Sequence, residues 1–600
     1  MRISDYIAQK LSKIGTNCYM VTGGGSMHLN DAFGKSKINI LYCHNEQACS
    51  MAAEAEARLL RKPAVVNVTT GPGGINAING VFGAYTDSIP MVVISGQVKR
   101  ETLVNNYDTD WRQLGDQEND IIKMVSGVTK YAECVMDPLK IRYHLEKAIY
   151  LSTIGRPGPV WLDIPIDLQA MEINPNDLEG FTHSDYVLES FSKLKVDSQL
   201  KDLINKITNA SCPVFYIGSG LHISGTEQKL IEIAEKINIP IVTAWNSNDL
   251  IEDNHPLYVG RGGTIGNRSG NFVLQSADLL IVLGSRLNMR LVSYNWNSFA
   301  PNAYKVGVDI DPKELKKPTC KFDLSIHSSL EYFLPKFEEK IVMMEKIPNF
   351  SNWVSWGRKL LFKYPVCLPE YWENEETVNP YCFVDTLFDN LKENDVVACA
   401  DGTACVVTFQ GMKVKKGQRI FHNSGCASMG YDLPAAIGAY MSRKDGKRVV
   451  CIAGDGSIMM NLAELQTISG NNLPIQIFIF NNKGYHSIRQ TQKNFFSDNI
   501  VGCGTDSGLT FPKFEKVAST FDFPYYEVNN HKDLKEIVPK IINSNKRFIC
   551  EVHLDLNQHF SPKLSSKKLE DGSMVTSPME DMWPFLSPQE LNENIYKLNH

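Results

Sequence analysis

The sequence predicts an α/β protein built on mostly parallel sheets, and three observations predict it. Short, continuously apolar, β-branched runs recur over the 600 residues, helical stretches lie between them, and Gly, Pro, Asn or Asp bounds the runs. A strand that is apolar throughout needs cover on both faces, which a parallel sheet between two helix layers provides. In chain order, strands are expected at Ala64-Val65-Val66-Asn67-Val68, Met91-Val92-Val93-Ile94, Val160-Trp161-Leu162-Asp163-Ile164, Val214-Phe215-Tyr216-Ile217, Leu279-Leu280-Ile281-Val282-Leu283, Val449-Val450-Cys451-Ile452 and Ile475-Gln476-Ile477-Phe478-Ile479-Phe480. Helices over 46–60 and 230–237 fall in the intervals.

At about 150 residues per domain the length alone predicts roughly four domains. The pattern breaks twice. Residues 171–200 gain polar and turn residues, and residues 338–380 mix charges, prolines and tryptophans without a sheet-like run. Cutting there leaves domains at 1–175, 190–340 and 375–560, with a polar tail over 561–600 as a candidate lid.

Charge and composition exclude several functions. Lys+Arg 61 against Asp+Glu 67 gives a net charge of −6, a poor match for nucleic acid or an anionic membrane. No apolar run approaches the roughly 18 residues of a membrane span. Met1-Arg2-Ile3-Ser4-Asp5 puts an acid where a signal peptide would turn apolar, so a cytoplasmic location is expected. The 14 cysteines show no CxxC spacing and are expected as reduced, buried thiols. Small-molecule chemistry remains.

The strongest motif lies in the third block. Gly454-Asp455-Gly456 follows one expected strand, and Asn481-Asn482 follows the next after 24 intervening residues. Both sets stand at the carboxyl ends of parallel strands, where open α/β sheets bind ligands. A hard divalent cation takes oxygen ligands, and Asp455 and Asn482 supply a carboxylate and an amide oxygen. Gly456 and Ser457 are expected to open a helix whose N–H groups hold phosphate. Two ordinary turns would also contain these residues; the spacing and the strand context favour the ligand reading.

This pair resembles the thiamine diphosphate motif, GDG followed by NN. Thr70-Gly71-Pro72-Gly73-Gly74-Ile75-Asn76, Ala84-Tyr85-Thr86-Asp87-Ser88-Ile89-Pro90 and Gly155-Arg156-Pro157-Gly158-Pro159 are similar to the first domain of the acetolactate synthase family. Gly284-Ser285-Arg286 and Asp309-Ile310-Asp311-Pro312 are similar to its middle domain. Residues 424–439 resemble its GLGxMGxGLPAAIGA stretch. The resemblance implies three doubly wound parallel-sheet α/β domains, pyrimidine-binding, central and diphosphate-binding, with thiamine diphosphate and Mg²⁺ as cofactors.

It also implies roles, residue by residue. Glu46, at the expected start of a helix, where a carboxylate also serves as an ordinary helix charge, matches the glutamate that hydrogen-bonds pyrimidine N1′. That bond favours the imino tautomer that takes the thiazolium C2 proton. Asn45 is inserted between the family's histidine and this acid. Gly73, Asn76, Gly454, Gly456 and Ser457 are expected against the cofactor. Met429 matches its apolar wedge, and the Ala427 carbonyl is expected to accept from the 4′-amino group. Asp455, Asn482 and the Gly484 carbonyl are the implied Mg²⁺ ligands. Gln117, in the RQLGDQE segment, matches a substrate-side glutamine.

Departures from the family concern the substrate. Thr491 stands where a tryptophan shapes the acceptor pocket. Thr22 and His28 replace the prolines of a PGGASMP loop. Tyr485 and His486 add polar groups, and Asp401-Gly402-Thr403-Ala404 lacks the glutamine and histidine of DxGQH. His28 and His486 are candidates to relay protons or bind a polar acceptor, and each is equally explained as a structural histidine.

The family binds FAD in its middle domain. Gly218-Ser219-Gly220 and Arg261-Gly262-Gly263-Thr264 suit phosphates, but Asn288-Met289-Arg290 departs from the usual pattern, so FAD stays open. The implied activity decarboxylates a 2-oxo acid, pyruvate first, and transfers the acyl-anion equivalent to a second carbonyl. The departures point to an acceptor such as a keto-sugar nucleotide. The alternatives are true acetolactate synthase of branched-chain amino-acid synthesis, a simple decarboxylase and a non-catalytic regulatory relative. A homodimer or homotetramer is implied, with Glu46 of one subunit facing Asp455 and Asn482 of another.

Overall fold

The computed structural model describes residues 1–185, 190–443, 446, 448–496, 499–568 and 574–596. Parts of the expected linker at 171–200 and of the 561–600 tail therefore lie outside the described residues. Three six-stranded, all-parallel sheets follow one another along the chain. The first comprises β1 (Asn17–Met20), β2 (Asn39–Tyr42), β3 (Ala64–Val68), β4 (Met91–Gln97), β5 (Tyr131–Cys134) and β6 (Pro159–Pro165). Their spatial order is β2-β1-β3-β4-β6-β5. The second comprises β7 (Pro213–Ile217), β8 (Ile241–Thr243), β9 (Tyr258–Arg261), β10 (Leu279–Leu283), β11 (Tyr304–Asp309) and β12 (Leu324–His327). The third comprises β13 (Val396–Cys399), β14 (Arg419–Phe421), β15 (Val449–Gly454), β16 (Gln476–Asn481), β17 (Tyr525–Val528) and β18 (Phe548–His553).

The third sheet, ordered β14-β13-β15-β16-β18-β17, repeats the order of the first. The second, β12-β11-β10-β7-β8-β9, has the dinucleotide-fold order read from its other edge. Near its middle each order reverses, between β1 and β3, between β7 and β10, and between β13 and β15, and the first and third sheets also swap their last two strands at the far edge. At such a switch point the connections leave in opposite directions and open a crevice at the strand ends. Every strand expected from the sequence coincides with an observed one, because each carries a fully buried apolar run.

Five helices position the site: α1 (Glu46–Leu60), α2 (Pro72–Asp87), α3 (Thr403–Gly411), α4 (Asp432–Met441) and α5 (His486–Phe496). Within one chain the first and third domains pack through α1 and α4, and one apolar cluster runs across both. Small residues permit the approach: a Cβ on Gly438 would lie 2.0 Å from the Ala52 carbonyl oxygen. A buried polar group sits beside this seam, where Arg58 pairs with Glu54 and Asp87 while Tyr431 Oη donates to Glu54.

Two segments differ from expectation. Residues 338–380 contain a helix, Ser351–Lys363, whose Trp353, Val354, Gly357 and Leu360 are buried at helical spacing against the central sheet. Trp353 Nε1 donates to the Pro213 carbonyl at 2.8 Å, so this stretch belongs to the central core. The described part of the tail is anchored there too. Leu564 N–H donates to the Thr264 carbonyl at 2.7 Å, Met579 and Met582 are buried, and Tyr596 packs edge-on against Trp353 and Trp356. All 14 cysteines are free thiols. Among the described residues no helix is long and apolar enough to cross a membrane.

Candidate functional site

The carboxyl ends of β13, β15 and β16 bring three short turns together. Asp455, after β15, is 2 % exposed, and its Oδ2 accepts from Gly484 N–H at 2.8 Å. Burial pushes its carboxyl up to about 7, against the N–H groups of Gly484, Gly456 and Asn482, which favour the ionised form. Asn482, after β16, donates from Nδ2 to Thr403 Oγ1 at 3.3 Å, while its buried Oδ1 has no partner among the described residues. Buried polar atoms are nearly always paired, so an orphan amide oxygen beside a buried carboxylate is a donor set suited to a cation. The Gly484 carbonyl accepts from His486 N–H at 3.0 Å and keeps a second lone pair. Gly484 has φ +124°, and a Cβ there would lie 1.8 Å from the Cys503 carbonyl oxygen, so glycine is obligatory.

Residues outside the recognised motifs hold this corner. Arg489 donates to the carbonyls of Asn482 at 3.1 Å and Lys483 at 2.6 Å. The Tyr485 ring lies so close that a Cβ on Gly456 would come within 2.2 Å of it. The helix expected to open at Gly456 and Ser457 is instead a single 3₁₀ turn, Ile458–Asn461. The reason is local bonding. Ser457 Oγ accepts from Gly430 N–H at 2.8 Å and donates to Asp432 at 2.5 Å, and Asn461 Nδ2 donates to the Gly430 carbonyl at 2.7 Å. These bonds tie the turn to the 427–432 loop, and burial raises Asp432 to about 6.

Glu46 is the first residue of α1. Asn45 caps the helix, its side chain accepting from Gln47 N–H at 2.8 Å. The inserted residue thus has a structural task. Glu46 Oε2 accepts from Asn76 Nδ2 at 3.0 Å, and a Cβ on Gly73 would stand 3.6 Å from Oε1. The third domain holds the start of this helix: Glu464 accepts from the N–H groups of His44 and Asn45, at 3.0 and 3.1 Å. Nothing local in the sequence links Glu464 to Glu46.

Ala427 has φ +57°, and its carbonyl accepts no hydrogen bond among the described residues. Met429 is half-buried two residues on. Gln117 is exposed, with its backbone oxygen against Gly71 at the start of α2. His28 is half-buried without a side-chain hydrogen bond among the described residues. His486 turns inward: its Nε2 lies 3.2 Å from the Gln558 carbonyl oxygen and 2.6 Å from the Gln490 amide nitrogen, and burial lowers its pKa.

Comparison with known proteins decides the family. Residues 1–121 match the N-terminal TPP binding domain of thiamine pyrophosphate enzymes, residues 200–337 their central domain, and residues 401–552 their C-terminal TPP binding domain. The chain belongs to the thiamine pyrophosphate enzyme family. It is 29 % identical over 561 residues to the acetolactate synthase large subunit of Cyanidium caldarium, which covers 92 % of this chain and 93 % of that protein. It is 27 % identical over 597 residues to acetolactate synthase isozyme 2 large subunit of Escherichia coli, 99 % of each chain, and 29 % identical over 573 residues to chloroplastic acetolactate synthase 2 of Nicotiana tabacum, 94 % of this chain and 83 % of that protein.

This thiamine pyrophosphate enzyme is therefore of the carboligase and decarboxylase type, and it contains a second cleft. The cleft opens at the switch point of the central sheet, between the β7 turn (Gly218, Gly220) and the β10 turn (Gly284), and forms a cavity of about 190 Å³. Arg156, Arg286 and Arg290 line it, together with Asp309 at the end of β11. A Cβ on Gly218 would lie 2.4 Å from the Gly284 carbonyl oxygen, so the two turns pack backbone to backbone.

Proposed function

We propose that this enzyme holds thiamine pyrophosphate through Mg²⁺, decarboxylates a 2-oxo acid, pyruvate first among candidates, and joins the acyl unit to a second carbonyl compound. The observation that carries this reading is the Oδ1 of Asn482, without a partner among the described residues, beside the buried Asp455. Asp455, Asn482 and the Gly484 carbonyl would hold the cation, with the N–H groups of Gly456 and Ser457 toward the diphosphate. When bound, the cofactor supplies a carbon nucleophile and an electron sink. The protein supplies proton control and orientation. Glu46, oriented by Asn76, would hold a proton at the pyrimidine ring. Ala427 would offer its carbonyl to the 4′-amino group, Met429 would support the cofactor from below, and Gly73 leaves room beside Glu46. Gln117 and His28 are the candidates to touch substrate. His486 is the weaker candidate, because its Nε2 is taken up by Gln558 and Gln490.

Thr491 is exposed on α5 and supports an acceptor larger or more polar than 2-oxobutyrate, for which we assign a keto-sugar nucleotide. A second reading, acetolactate synthesis from two pyruvates, is supported by the names of the relatives. Incubation with pyruvate alone separates them. CO₂ with acetolactate favours the second. CO₂ released only on addition of a keto-sugar nucleotide, with a branched adduct, favours the first. CO₂ with free aldehyde would make the enzyme a simple decarboxylase, and a calorimetric titration without cofactor binding in Mg²⁺ would leave a non-catalytic protein. The three arginines of the central cleft support a nucleotide such as FAD, tested by flavin absorbance after reconstitution. Ile75, Phe82 and Tyr85 are 45, 39 and 41 % exposed on α2 and support burial against a second copy in a homodimer or homotetramer, tested by light scattering.

A further inference from the structure

The Ala427 carbonyl is presented by a loop that the third domain does not hold alone. A φ of +57° is unfavourable for an L-residue and persists where the surroundings impose it. Inside the loop, Ala427 N–H donates to the Asn423 carbonyl at 2.7 Å and Ser428 N–H to Asn423 Oδ1 at 3.3 Å. Further ties come from the other two domains. Asp87, the last residue of α2, is 8 % exposed. Its Oδ1 accepts from Gly425 N–H at 3.0 Å. Its Oδ2 accepts from Arg58 at 2.7 Å and from Asn246 Nδ2 at 3.2 Å. Asn246, between β8 and β9 of the central domain, also donates to the His422 carbonyl at 3.0 Å and to Ser424 Oγ at 2.8 Å. Earlier on α2, Asn79 Oδ1 accepts from Ser428 Oγ at 2.6 Å, and a Cβ on Gly83 would lie 3.4 Å from Asn423 Nδ2. Positions 79, 83 and 87 recur every four residues, so one stripe of α2 cradles the loop.

We propose that Asp87 is a positioning residue for cofactor activation: through Gly425 N–H and Asn246 it aims the Ala427 carbonyl at the place the 4′-amino group must occupy. The inference rests on the proposed role of the Ala427 carbonyl. A carboxylate is suited to the task because donors approach both of its oxygens. An amide of the same shape would have to turn its NH₂ toward Gly425 N–H, or else toward Arg58 and Asn246, and either choice sets donor against donor. The loop would then relax toward a less strained backbone and the carbonyl would swing away.

The test is Asp87→Asn in the full chain loaded with Mg²⁺ and thiamine pyrophosphate. Two quantities are read: cofactor affinity by calorimetry, and deuterium exchange at cofactor C2 by proton NMR after acid quench. The exchange rate at saturating cofactor reports the orientation of the aminopyrimidine, which a residue needed only for folding would leave alone. The expected result is exchange slower by about ten- to a hundredfold, the range for a lost hydrogen bond to a charged group, with affinity changed far less. Exchange at the wild-type rate overturns the inference. Should Asp87→Asn not fold, Asn246→Ala decides: it removes the bonds of Asn246 to Asp87, His422 and Ser424 and leaves Asp87 paired with Arg58. A smaller fall in the same rate is expected there, and a wild-type rate overturns the inference. A wild-type protein that binds the cofactor without accelerating C2 exchange overturns the underlying reading of Ala427 and Glu46 itself, so the two failures are told apart.

Discussion

Replacing Asp455 with asparagine should make the metal-free protein more stable and the enzyme inactive. Burial raises this carboxyl from its ordinary 3.8 to about 7. Held against the exposed carboxylate of the unfolded chain, that shift corresponds to about 4 kcal/mol withheld from the folded state at neutral pH and above. The sign follows from proton binding. Between 3.8 and about 7 the folded protein keeps a proton that the unfolded chain has lost, so metal-free stability falls as pH rises through that window. Asparagine removes the titration. It also turns an NH₂ toward the N–H groups that surround the site, and each buried donor left unpaired costs about 1–3 kcal/mol. With one donor left unpaired, the net gain expected at about pH 8 is about 1–3 kcal/mol. Thermal unfolding in EDTA, at about pH 5.5 and about pH 8, measures it. Wild type should lose stability between the two, and Asp455→Asn should lose less and lie above wild type at the higher pH. Mg²⁺ with thiamine pyrophosphate should then stabilise wild type alone. A variant destabilised equally at both pH values, or one that still binds the cofactor with Mg²⁺, refutes the reasoning.

Three further outcomes are expected. Glu46→Gln should keep Mg²⁺ and cofactor binding by calorimetry and lose turnover by about 10²–10⁴-fold, the range for general acid–base catalysis; a fully active variant removes Glu46 from the proton path. Gly438→Ala, whose Cβ would stand 2.0 Å from the Ala52 carbonyl oxygen, should force α1 and α4 apart at a cost of about 1–3 kcal/mol. An unchanged unfolding midpoint would contradict the tight seam between the first and third domains. A chain ending at residue 560 should destabilise the central domain, since burying each of Met579 and Met582 is worth about 1.5–3 kcal/mol. Full stability with altered turnover would return the tail to the role of a lid.

The sheets were legible because each strand is a short, fully buried run bounded by turn residues, a pattern that survives without any knowledge of its neighbours. The ligand corner was partly legible for a related reason. Gly454-Asp455-Gly456 and Asn481-Asn482 each follow such a run, and strand ends at a switch point are where a parallel sheet opens. The turn after Ser457 is not the helix its sequence suggests, because a helix start depends on what the cap side chain bonds, and Ser457 is bound by Gly430 and Asp432 rather than by its own helix. Asp432 offered one local hint, since it stands where the resembled stretch has glycine. The Ser351–Lys363 helix was hidden among charges and prolines, although Trp353, Val354, Gly357 and Leu360 already carry its period.

By itself the sequence determined the class of the fold, the order of the strands along the chain and the residue types that can bind a cation and a diphosphate, since these follow from local pattern and chemistry. The tertiary structure alone decided which groups share a site. Glu464 reaches the start of α1 from 418 residues beyond Glu46, and Asp87 meets Gly425 across 338 residues. The identical strand order of the first and third sheets is likewise a property of pairing in space. A hydrogen bond between distant segments requires complementary geometry at two places at once, and neither segment records the other's position.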